Sequence, residues 1–136
     1  MKTRGLISVT LFLAALSLLT EAVADNGYSA RLISPTAGQV LYPGQRVRVQ
    51  WEPTFPKTKA VGCEMEVLLS LDGGTTWNAY ISPPLDPKTR FFDWTVPNTP
   101  TNAAVLDIRF GCEVFYPESR SPQIASPFVI MQTAGQ

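Results

Sequence analysis

The sequence predicts an all-β chain folded as an antiparallel sandwich of about seven strands. Three observations carry that expectation. Several stretches alternate apolar and polar residues with a period of two, the mark of a strand with one buried face. The 12 prolines, with glycines such as Gly38, Gly44, Gly62, Gly73 and Gly74, punctuate the chain around those stretches. No stretch shows the 3.6-residue apolar period of an amphipathic helix.

The chain opens on a targeting pattern rather than on structure. Lys2 and Arg4 give a positive start, Leu6 to Leu19 is an apolar run, and Ala22-Val23-Ala24 is a small-x-small cleavage site. The run is short for a membrane span and lacks a basic stop-transfer flank. The expectation is a signal peptide over 1–24, cleavage before Asp25, and one exported domain over 25–136 with no membrane span. That domain is expected to be secreted or periplasmic. Without Lys2, Arg4 and Glu21 it holds nine basic and ten acidic residues. Such near-neutrality, with scattered charges, argues against nucleic acid or an anionic membrane as partner.

The predicted strands follow in order. Arg31 to Ser34 is a short first strand, stopped by Pro35. Thr36 to Gly44 holds Val40-Leu41-Tyr42 as an edge or crossover piece. Over Gln45 to Glu52, Val47, Val49 and Trp51 point one way, and Arg46, Arg48 and Gln50 the other. Pro53 to Gly62 is a polar connection. The central strand runs from Cys63, with Met65, Val67, Leu69 and Leu71 on the inward face. Asp72-Gly73-Gly74 breaks it as a hairpin turn, because glycine accepts positive φ and aspartate bonds its own backbone. Trp77 to Ser82 is the return strand, with the Trp77 ring folded toward the hairpin. Phe92, Trp94 and Val96 face inward on the next strand, closed by Pro97. Pro100 to Ala103 turns into Val105 to Val114, whose inward set is Leu106, Ile108, Phe110, Cys112 and Val114. Phe115 to Pro127 is a long loop, and Phe128 to Gln132 the last strand.

Cys63 and Cys112 share inward parity on strands that can pair antiparallel, so a disulfide is expected between them in an oxidising compartment. Two cysteines without a CxxC spacing, in a chain with no histidine, suit neither a redox motif nor zinc.

The ordered set Ile33-Ser34-Pro35, Gly38, Gly44-Gln45, Val47-x-Val49-x-Trp51, Val67-x-Leu69-Ser70-x-Asp72-Gly73-Gly74-x-Thr76-Trp77, Asp93-Trp94-Thr95-Val96-Pro97, Asp107-Ile108-Arg109 and Ser126-Pro127-Phe128-x-Ile130 resembles a known domain. It is similar to the Ig-like domain of many bacterial extracellular proteins. That domain is related to the amino-terminal domain of fungal cell-wall β-glucan assembly proteins. The resemblance implies an Ig-like or fibronectin-III-like sandwich acting as a non-catalytic spacer or attachment module. The chain adds a cysteine pair and the long Phe115 to Pro127 loop to that pattern. Ser70, Asp72, Gly74, Thr76 and Trp77 also match the Asp-box of sialidase-type propellers, a hairpin stabiliser found in other β folds too. A propeller needs several blades, and there is one box here.

The absence of histidine removes the commonest general base and the Ser-His-Asp arrangement. Carboxylates for glycoside hydrolysis would come from Asp72, Asp86, Asp93, Asp107, Glu113 or Glu118, none spaced to argue for a shared cleft. One carboxylate at Asp72 is a poor calcium cage. No metal or cofactor is expected. Trp51 and Trp94 have core parity rather than that of sugar platforms.

Phe115, Tyr116 and Arg120 are the candidate partner-binding residues, offering two aromatic faces and a forked donor on a proline-stiffened loop. Replacing Tyr116 and Arg120 there is expected to remove binding with little loss of stability. The expected function is an exported non-catalytic binding or structural module at the cell envelope, contacting a protein or a glycan. The alternatives are an accessory subunit docking on an exported enzyme and an Asp-box-related glycan hydrolase.

Overall fold

The computed structural model describes residues 27–135. The signal sequence expected over 1–24 lies outside them. The described residues form nine strands and no helix. They are β1 (Ser29–Ser34), β2 (Val40–Leu41), β3 (Arg46–Thr54), β4 (Cys63–Ser70), β5 (Ala79–Tyr80), β6 (Phe91–Thr95), β7 (Thr101–Cys112), β8 (Tyr116–Ser119) and β9 (Phe128–Ile130). One sheet has the order β1-β3-β6; the other runs β2-β9-β7-β4-β5, with β8 also on β7. Together they make a β-sandwich.

The alternation read from β3 holds residue by residue. Val47, Val49 and Trp51 are buried while Arg46, Arg48 and Gln50 are exposed. β3 is the middle strand of its sheet, in register with β6 through Val47 opposite Trp94 and Val49 opposite Phe92. Across the core, β4 and β7 pair over their whole shared length. Met65 lies opposite Phe110, Val67 opposite Ile108 and Leu69 opposite Leu106. These inward sets form a single core that also takes in Leu41, Phe128 and Ile130. Cys63 sits directly opposite Cys112 in that register, Cα to Cα 3.9 Å, and the two are joined as a disulfide.

The differences from the sequence expectation have physical causes. Nine strands replace about seven, because β2 is only a parallel annex of β9 and β8 an extension on β7. The return strand after the turn shrinks from Trp77–Ser82 to Ala79–Tyr80, although Asn78 N–H and Ile81 N–H still donate to Leu69 and Val67 carbonyls. β7 begins at Thr101, inside the expected turn, and the last strand ends at Ile130 rather than Gln132. Val114 is not inward: the chain turns beyond Cys112, leaving it 77% exposed.

The largest departure is the stretch from Phe115 to Pro127. It is no free loop, because the chain doubles back along the edge of β7 first as β8 and then beyond it. Ile108 N–H donates to Ser121 O (3.3 Å), and Gln123 N–H to Leu106 O (2.8 Å).

Candidate functional site

The Asp-box residues build a turn closed by its own side chains. Asp72 Oδ1 accepts from Ser70 Oγ–H and from Thr76 N–H, each at 2.8 Å, and Oδ2 accepts from Thr76 Oγ1–H at 2.6 Å. Ser70 Oγ in turn accepts from Gly74 N–H at 2.8 Å. Gly73 and Gly74 take φ of 71° and 91°, which side-chain-bearing residues rarely adopt. Bonds from Thr76 and Ser70 hold the Asp72 carboxyl down at about 2, since they favour its ionised form. Both oxygens of this carboxylate are therefore committed to the turn.

The hairpin is tied to the segment after β7. Arg120 lies over the Trp77 ring, 4.8 Å from its centroid, and donates from Nε to Asp107 Oδ2 at 2.6 Å. Asp107 has outward parity, as read from sequence, yet it is completely buried. Its other oxygen accepts from Ser121 N–H at 2.8 Å. Val105, Leu68 and Ser70 on the same outer face are buried too, so this end of the large sheet is covered on both sides. A period-two pattern cannot reveal that cover, because it records only which face is apolar.

Two further side chains in this segment, not singled out from sequence, stitch the sheets together. Ser121 Oγ accepts from Ala30 N–H (2.9 Å) and donates to Ala30 O (3.1 Å). Gln123 accepts from Leu32 N–H through Oε1 (2.9 Å) and donates from Nε2 to Ala30 O (2.9 Å). Tyr116 joins them, its hydroxyl accepting from Tyr28 N–H at 2.9 Å. Side chains thus satisfy the outer edge of β1, where a neighbouring strand would otherwise pair. Tyr28 closes the seam by donating its own hydroxyl to Ile108 O; burial, then the Asp107 charge, raises its pKa.

The three candidate partner-binding residues do not converge. Tyr116 packs inward against Phe110, ring centroids 5.7 Å apart. Arg120 points outward to Asp107 and Trp77. Phe115 alone stands at a loop tip, 45% exposed.

What does converge at that tip is an end of the sandwich. Residues 55–62, between β3 and β4, meet residues 113–115, between β7 and β8. Thr58 Oγ1–H donates to Phe115 O, Glu113 N–H donates to Gly62 O, and the Lys59 ammonium sits 5.0 Å from the Phe115 ring centroid. Residues 83–90 come alongside, with Arg90 5.7 Å from the Phe55 ring centroid. Between residues 55–63 and 86–90 lies a groove of about 590 Å³, lined by Phe55, Pro56 and Phe110 and by Asp86, Lys88 and Arg90. Phe55 in the groove, and Val61, Val114 and Phe115 on the loops beside it, are all exposed. The disulfide lies beneath and fixes the roots of two of the three loops.

A second groove, on the outer face of the large sheet, gathers Glu64, Glu66, Glu113 and Glu118 around Arg109, in a volume of about 240 Å³. Arg109 pairs with Glu118 and donates to the Tyr80 hydroxyl. Burial and the nearby Glu64 raise the Glu66 pKa. Among the described residues, no group of three or more histidine, cysteine or acidic side chains could hold a metal ion. Comparison with protein-family models, curated proteins and solved structures finds no match to this chain.

Proposed function

We propose that the chain is an exported non-catalytic binding module of the cell envelope, and that it meets its partner with the loop end around Phe55 and Phe115. The observation that carries this reading is that Phe55, Val61, Val114 and Phe115, all exposed, stand on two loops joined by the Thr58–Phe115 and Glu113–Gly62 hydrogen bonds, beside the groove that Phe55 lines. Exposed apolar side chains grouped on loops above a rigid scaffold are the usual form of a protein contact surface. The signal-like start of the sequence and the disulfide fit an oxidising compartment outside the cytoplasm. The resemblance to bacterial Ig-like attachment domains supports the same role.

Of the six carboxylates weighed for hydrolysis, Glu113 and Glu118 share the outer groove with Glu64 and Glu66, where Glu118 pairs with Arg109, and the other four are engaged elsewhere. Asp72 closes its turn, Asp93 pairs with Arg48, Asp107 with Arg120, and Asp86 accepts from Lys88 N–H. The test is capture from a native extracytoplasmic fraction by the immobilised protein. Val114→Asp with Phe115→Ser is expected to abolish capture while Asn98→Asp with Thr133→Ala, at the other end, leaves it unchanged. Capture that ignores the first pair would place the binding surface elsewhere.

A further inference from the structure

Charge is unevenly distributed on this molecule. Residues 55–62, 83–90 and 113–115 carry Lys57, Lys59, Lys88 and Arg90 against Asp86 and Glu113. The outer face of the large sheet carries the opposite balance, with Glu64, Glu66 and Glu118 around Arg109 and Glu113 at the border of the two. A nearly neutral chain therefore hides a basic, apolar end beside an acidic face.

Each exposed aromatic ring at the basic end has a cation close to it. Phe55 packs on Tyr28 and Phe110, centroids 6.2 and 5.0 Å away, and Arg90 lies over it. The Phe115 ring is covered by Lys59. An aliphatic side chain needs only the apolar floor, and a carboxylate needs only a reachable ammonium. Lys57, Lys59 and Lys88 are exposed and form no ion pair among the described residues, while Asp86 is held in a local turn by Lys88 N–H.

We infer that the groove takes a protein segment in which carboxylate side chains flank an aliphatic or aromatic one. The apolar side chain lies on Phe55, Pro56 and Phe110, and the carboxylates meet Lys88, which lines the groove, and Lys59, on the loop beside it between the lining residues Thr58 and Ala60. This inference rests on the loop end being the binding surface. Charge complementarity of this kind sets partner choice and association rate more than final affinity.

Selection of displayed random linear peptides on the disulfide-intact protein tests it, with a neutral oligosaccharide array run in parallel. Enriched peptides are expected to pair Asp or Glu with Leu, Ile or Phe. Their affinity is expected to fall about tenfold or more in Lys59→Glu with Lys88→Glu, and likewise between about 0.1 M and about 1 M salt. Both lysines are exposed, so unchanged thermal melting identifies a folded variant. Neutral or basic peptides lost on Val114→Asp with Phe115→Ser would overturn the acidic partner and leave the loop end standing. Acidic peptides indifferent to both variant pairs would overturn both. Retention of oligosaccharides in place of peptides, or no enrichment, would overturn the inference.

Discussion

Asp107 and Arg120 meet on the outer surface of the large sheet, Oδ2 to Nε at 2.6 Å, with the carboxylate fully buried and the arginine half exposed. The pair turns a surface-looking segment into a part of the fold. Arg120 covers Trp77 on one side and neutralises Asp107 on the other, so the hairpin and the edge of β7 share one anchor.

Arg120→Ala should therefore destabilise, against the expectation that replacing Tyr116 and Arg120 together costs little stability. Removing one partner of a fully buried pair costs about 3–5 kcal/mol. Exposed pairs contribute about 0–1 kcal/mol. Partial solvation of Arg120 puts this case between them, at about 2 kcal/mol. Urea unfolding measures it, and a loss within the surface-pair range would show that Asp107 does not need its partner.

The Asp-box turn makes a pH-dependent contribution. Its carboxyl sits at about 2 in the folded chain, below the ordinary 3.8, so the folded state favours the ionised form. The stabilisation is complete above about pH 4 and is lost as pH falls through about 2. Asp72→Asn should lower Tm at neutral pH and should flatten the fall in Tm between about pH 4 and 2. Parallel acid profiles for parent and variant would remove Asp72 as a source of that fall.

Loss of the disulfide should be felt more strongly. It closes a loop with a sequence separation of 49, for which the chain-entropy model gives about 4 kcal/mol. Cys63→Ser with Cys112→Ser should lower unfolding stability by that order. Non-reducing peptide mapping of the parent should recover the Cys63 and Cys112 peptides joined; two free thiols would contradict the pairing.

Much of this fold was legible because Val47, Val49 and Trp51, or Met65, Val67 and Leu69, declare their buried face by alternation. The cysteine pairing was legible for the same reason, parity plus antiparallel strands. The segment after β7 was not. Its proline content resembles a loop, while its hold on β1 comes from Ser121 and Gln123, polar side chains that bond backbone and have no apolar period. Gly111 was a faint signal. A Cβ there would lie 2.8 Å from Glu118 Cα, so glycine lets β8 approach β7 closely. The groove was hidden too, since Phe55, Lys88 and Phe110 lie on three separated stretches that only the fold brings together.

Hydrogen exchange on the protein, free and in complex with its captured partner, tests the location of the binding surface most directly. Amides in 55–62, 83–90 and 113–115 should gain protection on binding, while those of the Asp-box turn and of 120–123 should stay as they are. Protection confined to the Asp-box turn or to the segment from Arg120 to Gln123, with the three loops unchanged, would contradict it.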